Sequence, residues 1–383
     1  MKALTQHRYP GAADWSSLVV RRAHLSKVAN LVLAPLPAKG SAGSKENVVR
    51  SIHEVGGPSA WTGSDIQDSP DWIVELADRQ AHELLDALAA IEADGLDFFE
   101  VNRENFVLPT LSPLLESILV ELLNGRGFVL AQGVPVEGLT ERQIELMYWG
   151  LGQHIGIPLP QGAAGTDLFA HVRDEGVDRN ADYGGALLNK HHEALPFHTD
   201  SSDLVGLLCI NPAMDGGVST IVSAAAVHDE FLRRRPDLSD VTYEQWWFDR
   251  RRGQGPDSFA QCPIFAVNDK GKLFTFYGPD LFKTATRGEH VPELSDRQWE
   301  AMALIDEING SPEFQLNMNF RPGEIQFLNN YSIMHSRSAY EDHPDPALKR
   351  DLIRLWLTVD QDLGIPEEMS DRGVTARSDA FLL

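Results

Sequence analysis

The sequence predicts an α+β fold in which a double-stranded β-helix, or jelly roll, is flanked by helices. Helical patterns dominate the first part of the chain, and many short β-type segments follow from about residue 204. Because helices that precede a run of short strands commonly buttress a sandwich or barrel, we expect the later segments to form the core. The hydrophobic fraction of 43% is ordinary for a globular protein and allows a sizeable core.

Three helices are predicted before the strand-rich part, because apolar residues recur there at helical spacing after Ser or Thr capping residues. Two of them also carry proline in the first turn, where its missing N–H costs nothing. The predicted helices run from Ser69-Pro70-Asp71 to about Ile91, from Ser112-Pro113 to about Gly125, and from Thr140 to about His154. A short buried strand is predicted at 127–130, between the second and third helices.

The later segments are predicted as strands because they are short, apolar and bounded by turn residues. Arg321-Pro322-Gly323-Glu324, between two of them, is typical of a tight turn. The predicted strands are 204–210, 218–222, 241–247, 264–267, 273–277, 315–320, 324–328 and 352–359.

Domain organisation is predicted as an N-terminal extension, residues 1–68, and one domain, residues 69–383. The extension is partly linker-like, and up to Lys45 it carries seven Lys or Arg residues against one acid. That composition also occurs in organelle transit peptides, although an extension lying over the domain is the simpler interpretation. A Gly-rich segment at about 160–196 exceeds the usual loop length and is predicted as a lid.

Charge and cysteine content exclude some classes of partner. The formal net charge of −23 repels phosphate backbones, so we expect no nucleic-acid partner, and no apolar run approaches the roughly 20 residues that span a bilayer. Two cysteines in a chain this long do not make a disulfide framework, which favours a reducing cytoplasm. A homo-oligomer remains compatible with the sequence.

His198-Thr199-Asp200 is the central motif. On an extended backbone the first and third residues project from the same face, so the imidazole and the carboxylate converge. With one more histidine they form the two-His, one-carboxylate triad that binds Fe(II) and leaves positions open. The motif alone is weak, because a chain with 13 histidines contains about one copy by chance. A second copy, His343-Pro344-Asp345, lies in a Pro-rich turn and is interpreted as a surface loop.

Other motifs accompany this one along the chain. Gly216-Gly217-Val218-Ser219 follows an apolar strand, and Asn330 precedes His335 in the later part. Arg350 and Arg354 then lie at the edge of the last predicted strand, where residues four apart point to the same face. Two inward guanidinium groups require an anion, and a dicarboxylate such as 2-oxoglutarate supplies one.

In this order the motifs resemble those of the taurine dioxygenase (TauD/TfdA-like, clavaminate-synthase-like) family, over roughly residues 125–360. The resemblance implies a dioxygenase that uses Fe(II), 2-oxoglutarate and O2, hydroxylates or otherwise oxidises a small molecule, and releases succinate and CO2. It implies iron ligation by His198, Asp200 and His335. It also implies that Arg350 binds the distal carboxylate of 2-oxoglutarate, helped by Ser219 or its neighbour Thr220.

The substrate side is less defined. Arg354 is expected to share the co-substrate or to meet an anionic group of the substrate, and Asn189, His191 and His192 are expected to reach the pocket from the lid. Two other functions stay open: a metal-binding jelly-roll sensor without turnover, and a cupin-type metal-dependent hydrolase or isomerase. Succinate production distinguishes the oxygenase from both.

Overall fold

The computed structural model describes residues 52–161, 167–176, 188–251, 258–370 and Arg372. Eight α-helices lie in these ranges: α1 (Gly63–Ile66), α2 (Asp78–Asp94), α3 (Ser112–Asn124), α4 (Glu141–Gly152), α5 (Ala224–Arg234), α6 (Ser239–Tyr243), α7 (Pro279–Ala285) and α8 (Asp296–Asn309). The described part contains no helix long and apolar enough to cross a membrane.

Seventeen strands lie in the same ranges. They are β1 (Ile73–Glu75), β2 (Phe128–Gln132), β3 (Ile157–Leu159), β4 (Ala170–Val172), β5 (Leu195–His198), β6 (Leu204–Asn211), β7 (Asp215–Gly216), β8 (Ser219–Ser223), β9 (Trp246–Asp249), β10 (Phe259–Cys262), β11 (Phe265–Val267), β12 (Leu273–Thr275), β13 (Leu316–Met318), β14 (Ile325–Asn329), β15 (Ile333–Arg337), β16 (Tyr340–Glu341) and β17 (Asp351–Thr358).

Two larger sheets form the core. The major sheet has the order β1-β2-β14-β6-β17-β3, with β4 also pairing with β17, and the minor sheet has the order β13-β8-β15-β5. All the pairs in these sheets are antiparallel except β1 with β2. Strands far apart in sequence are neighbours in both sheets. The predicted combination of helices with a mostly antiparallel jelly-roll core is confirmed.

Successive side chains along the strands of the major sheet pack on its two opposite faces. On β6, Val205 and Leu207 pack in the core cluster that also contains Ile221 of the minor sheet, whereas Leu204 and Leu208 pack with α2, α3 and α4. The side-chain period of two explains this division, since successive residues of a strand face opposite sides. Side chains of the first set therefore face the space between the two sheets.

The minor sheet divides in the same way. Ile221 and Ile333 belong to the cluster between the sheets, whereas Val222 and Met334 pack with α5 and α8 on the other side. Helices thus cover the outer faces of both sheets. The faces that remain for a binding site are the two inner ones.

The predicted first helix was wrong at its start. Ser69 caps only a short 3-10 turn at Pro70–Trp72, and the α-helix begins at Asp78. Between them Ile73 pairs in parallel with Leu130, because β-branched residues beside an existing strand gain more from the sheet than from another helical turn. The second and third helices were confirmed as α3 and α4, and the strand at 127–130 as β2.

Most of the later strands were also confirmed, each within a few residues, and Glu324 N–H donates to the Arg321 carbonyl (3.1 Å) in the predicted tight turn. The strand at 241–247 was wrong in its first half, since Val241 lies in α6 and β9 begins at Trp246. Part of the predicted lid is also a strand, because β4 pairs with β17 across His171 and Ile353.

The first described residues are attached to the rest of the domain. The backbone N–H groups of Val55 and Gly56 each donate to the Asp229 carboxylate (2.9 Å). The Trp61 indole N–H donates to the Arg126 carbonyl (3.0 Å), and its ring lies 5.0 Å from that of Phe128. The predicted basic segment 1–45 lies outside the described residues. The division of the chain at residues 68 and 69 stays a prediction.

Candidate metal and co-substrate site

Strand pairing brings the two predicted histidine ligands together. His198 ends β5 and lies opposite His335 of β15 in the minor sheet, and His335 lies opposite Ile221 of β8. Because Ile221 faces the other sheet, His335 faces it too. The centroids of the two imidazole rings are 4.3 Å apart.

Asp200 lies just beyond β5, in irregular backbone at the entry to a bend rather than on the extended strand that the motif predicted. Its N–H donates to Asn330 Oδ1 (3.1 Å), while the preceding Thr199 N–H donates to the Tyr277 carbonyl (2.8 Å). Arg372 Nη2 donates to the Asp200 carbonyl (3.2 Å). These bonds fix the bend and turn the carboxylate toward the histidines.

The three side chains offer one compact set of donor atoms. His198 Nε2 lies 4.0 Å from Asp200 Oδ1, His335 Nε2 lies 3.9 Å from Asp200 Oδ2, and the three donor atoms lie within 4.8 Å of one another. His198 Nδ1 lies 2.8 Å from the Pro196 carbonyl. Since a carbonyl only accepts, Nδ1 carries the proton and Nε2 keeps its lone pair for a metal.

Electrostatics keep the donors in the ligating form. Burial and the neighbouring His198 lower the pKa of His335 to about 3, although Asp200 opposes this. Burial also lowers the pKa of His198. For Asp200 burial would raise the pKa, but the positive charge of Arg354 and the hydrogen bond from Trp356 oppose it, and the pKa stays below its usual value. Two neutral imidazoles and a carboxylate fit a metal of the iron type.

The Asp200 carboxylate is also held from the major sheet. The Trp356 indole N–H donates to Oδ2 (3.0 Å) and Arg354 Nη1 donates to Oδ1 (3.1 Å). Arg354 and Trp356 alternate on β17 with Ile353 and Leu355, which pack on the outer face. The inner face of β17 therefore orients the proposed ligand, as outer partners of metal ligands commonly do.

A cavity lies beside the histidines, between the two sheets. The described residues that line it are Val172, Asn189, Leu195, His198, Leu207, Ser219, Phe320, His335, Ser336, Arg337, Arg350, Leu352 and Arg354. Most of the predicted site residues are among them. The lining combines an apolar wall with a few polar groups, as in sites for small molecules.

Arg350 is buried in the wall of this cavity, with 3% of its surface exposed. Its Nη1 donates to the Val172 carbonyl (2.5 Å), and among the described residues it forms no ion pair with an acid. Gly217 makes room for it: at φ 67° a side chain there would be strained, and its Cβ would lie 3.2 Å from Arg350 Nε. This requirement explains the second glycine of the Gly-Gly-x-Ser motif.

The structure distinguishes between the residues predicted to bind the co-substrate carboxylate. The Arg354 guanidinium is already engaged by Asp200 and by Gln161 Oε1 (2.8 Å). Ser219 lines the cavity and donates to Gln326 Oε1 (3.1 Å), whereas the hydroxyl of Thr220 donates to Asn317 on the opposite face (2.7 Å). The geometry therefore favours Arg350 and Ser219 as the anion-binding pair.

Of the three substrate-binding residues predicted in the lid, one lines the cavity. Asn189 lines the cavity and donates to the His171 carbonyl (3.1 Å). His191 and His192 are not among the lining residues: His191 is buried beside the cavity, and His192 is exposed and contacts Asp174. The second His-x-Asp motif lies in a surface loop, as predicted, where His343 Nδ1 accepts from the Asp345 N–H (3.0 Å).

Two residues of the site were missed by the sequence analysis, Arg337 and Trp356. Each lies two positions beyond a predicted site residue on the same strand, His335 and Arg354 respectively. The period of two that placed Arg350 and Arg354 on one face would have placed Trp356 there as well, whereas the strand that carries Arg337 was not predicted.

A second His–carboxylate cluster lies outside the cavity. Donor atoms of Glu141, Glu145 and His171 also lie within 4.8 Å of one another, at the junction of α4 with β4. His171 Nδ1 lies 2.8 Å from Asp351 Oδ1, so this histidine is surrounded by acids.

Known proteins resemble this chain over most of its length. The chain is 29% identical over 330 residues to the FR-33289 synthase of Streptomyces rubellomurinus, which covers 82% of this chain and 94% of that protein. It is 28% identical over 303 residues to a taurine hydroxylase-like protein of Stachybotrys chartarum, which covers 77% of each chain.

Among solved structures, that of an asparagine oxygenase in complex with Fe(II), 3-hydroxyasparagine and succinate is similar at a TM-score of 0.57 and 16% identity, over 75% of this chain and 93% of the other. At this identity the likeness shows the fold. The model of the taurine catabolism dioxygenase TauD, TfdA family matches residues 74–356. The chain therefore belongs to the TauD/TfdA family of dioxygenases.

Proposed function

We propose that this protein hydroxylates a small molecule, with iron held by His198, Asp200 and His335 and 2-oxoglutarate held by Arg350 and Ser219. O2 is the oxidant, and the co-substrate leaves as succinate and CO2. Family membership makes the chain an Fe(II)/2-oxoglutarate oxygenase, and the residue roles are our assignment.

The proposal rests on one observation: a buried set of metal-donor atoms lies next to a cavity that suits an anion. Two neutral imidazoles and one carboxylate converge next to a cavity whose wall contains a buried arginine without an acidic partner among the described residues. A metal alone would not require that arginine. A co-substrate that binds the metal at one end and carries a carboxylate at the other accounts for both features.

Bound Fe(II), together with the 2-oxo acid and O2, supplies the oxidising power for the hydroxylation. The residues of the chain orient the reactants and exclude water. Trp356 and Arg354 hold the Asp200 carboxylate, Asn330 fixes its backbone, and the Pro196 carbonyl fixes the His198 tautomer. Each is placed by a strand or a short bend, which suits a site that must be rigid.

The substrate is assigned to the part of the cavity beside Asn189 and Arg354. Arg354 uses Nη1 and Nε for Asp200 and Gln161, so its Nη2 is the atom we assign to a polar or anionic substrate group. The two other functions considered, a metal sensor and a hydrolase or isomerase, are disfavoured because the family is one of dioxygenases and one matching relative is named a taurine hydroxylase-like protein.

The test is anaerobic addition of Fe(II) and 2-oxoglutarate to the purified protein, read by the visible metal-to-ligand charge-transfer band. The wild type should show the band, His198→Ala should lose it, and Arg350→Ala should need far more co-substrate. Succinate release during screening of small-molecule substrates then measures turnover.

His343→Ala is the matched control, since it removes the histidine of the other His-x-Asp motif from a surface loop. It should leave the band unchanged. A folded, iron-loaded wild type without the band would contradict the proposal, because the oxo acid would not then bind the metal.

A further inference from the structure

Arg337 is a third arginine of the cavity, and nothing in the mechanism above uses it. It lies two residues beyond His335 on β15 and directly opposite Ser219 of β8. Residues opposite each other in an antiparallel pair project from the same face, so Arg337 lies beside the hydroxyl that we assign to the co-substrate. It lines the cavity with 5% of its surface exposed.

The Arg337 guanidinium is only partly satisfied. Nη2 donates to the backbone carbonyls of His191 (2.8 Å) and Glu193, which fixes the orientation of the group. Nε and Nη1 are buried and have no hydrogen-bond partner among the described residues. No acid in that part of the chain forms an ion pair with Arg337, and the carbonyls that it contacts are neutral.

Arg337 and Arg350 both contact one aromatic ring. The Cζ atom of each lies 4.9 Å from the centroid of the Tyr340 ring. Both line the same cavity and are buried, and neither forms an ion pair with an acid among the described residues. Buried cations without acids are costly to keep, and an anion in the cavity that both contact offsets this cost. Arg354 does not share this requirement, since it is paired with Asp200.

We propose that Arg337 is a second cationic partner of the distal carboxylate of the co-substrate, beside Arg350 and Ser219. This inference rests on the proposed function. Two arginines on one carboxylate would discriminate strongly against 2-oxo acids that lack it, because their binding would leave both guanidinium groups unpaired.

The test compares two ligands that share the 2-oxo acid head. 2-Oxoglutarate carries the distal carboxylate and 2-oxobutyrate does not. Binding of each to the Fe(II)-loaded protein is measured anaerobically by titration calorimetry for the wild type, Arg337→Gln and Arg337→Lys. Arg337→Gln should weaken 2-oxoglutarate binding about 10- to 100-fold and leave 2-oxobutyrate binding within about twofold. Arg337→Lys keeps the charge without the fork and should lie between.

An equal loss for both ligands would overturn the proposal, because Arg337 would then only support the local fold. Unchanged binding of both ligands would overturn it as well. If Arg337→Gln does not fold, the same comparison is made with Arg337→Lys, where unequal loss supports the proposal and equal loss contradicts it. Failure of the wild type to bind 2-oxoglutarate would instead contradict the proposed function.

Discussion

Two clusters of histidine and carboxylate side chains in this protein bring the same types of donor atom equally close together, yet their histidines differ in charge. The cluster of His198, Asp200 and His335 and the cluster of Glu141, Glu145 and His171 each bring their donor atoms within 4.8 Å. In the first, two histidines share one carboxylate, which also pairs with Arg354. In the second, one histidine faces several acids.

The difference lies in the protonation of the histidines. Burial and its neighbouring imidazole lower the pKa of His335 to about 3, so its imidazole is neutral at physiological pH. For His171 burial would lower the pKa, but hydrogen bonds to Asp351 and Glu145 raise it to about 9. A protonated imidazole has no lone pair for a metal. Proximity of donors is therefore insufficient, and the ratio of acids to histidines decides whether a cluster suits a metal or forms an ion pair.

The largest effect that tests this comparison is on iron binding. His335→Ala should weaken Fe(II) binding by more than about 100-fold, since loss of a ligand exceeds the 10- to 100-fold cost of losing an outer partner. His171→Ala should leave iron stoichiometry at one per chain. Both are measured by metal analysis after anaerobic gel filtration. A comparable loss in the two variants would show that the second cluster is part of the metal site.

The second effect is on stability. The pKa of His171 is raised from 6.5 to about 9 in the folded protein, so its contribution is fully present below pH 6.5 and is lost as the pH rises through 9. The shift corresponds to about 3 kcal/mol. His171→Asn should therefore lower the free energy of unfolding by about that amount at about pH 6, and by much less at about pH 9.5. Urea unfolding at both pH values measures it; a pH-independent difference would mean that His171 is not charged.

A smaller effect is expected from the partner of Asp200. Trp356→Phe keeps an aromatic ring, although a smaller one, and removes the N–H that donates to Asp200 Oδ2. We expect iron affinity to fall about 10-fold, with the fold unchanged. Competition with a coloured chelator measures the affinity, and Leu357→Met, on the opposite face of β17, is the control. Unaltered affinity would show that Arg354 alone orients the carboxylate.

The smallest effect concerns one acid of the second cluster. Glu145→Gln removes the charge that lies 3.3 Å from His171 Nε2. The pKa of His171 should fall, followed by NMR titration of the ring, and stability should drop by about 1 kcal/mol. The contact with Asp351 remains, so the imidazole should still titrate above its ordinary value. A pKa that does not move would assign the whole shift to Asp351.

The candidate metal ligands could be predicted because short motifs in a fixed order along the chain resemble those of a known family. Strand periodicity contributed only on the last strand, since β5 and β15, which carry His198 and His335, were not among the predicted strands. Trp356 lies on that last strand and was missed because the rule was applied only to the two arginines there. Arg337 was missed because its strand was not predicted.

The second cluster could not be predicted in this way. His171 lies in a segment that looked like a loop, and it meets Glu145 and Asp351 only because β4 pairs with β17 beneath α4. The same limit explains the wrong helix start near Ser69. The capping signals there are genuine, but the pairing of Ile73 with Leu130 involves a strand more than fifty residues later in the sequence, which no local pattern reveals.

The contacts that the first described residues make with the rest of the domain determine where an N-terminal truncation of the protein can begin. A fragment that starts at residue 69 would lack Trp61, which covers the Phe128 ring, and the two N–H groups that bind Asp229. Ser223, at the start of α5, would lose its acceptor, the Ser59 carbonyl. We therefore propose that the smallest fragment that folds on its own begins before Val55. Truncation to residues 74–356, the region that the family model matches, would expose aromatic surface and favour aggregation.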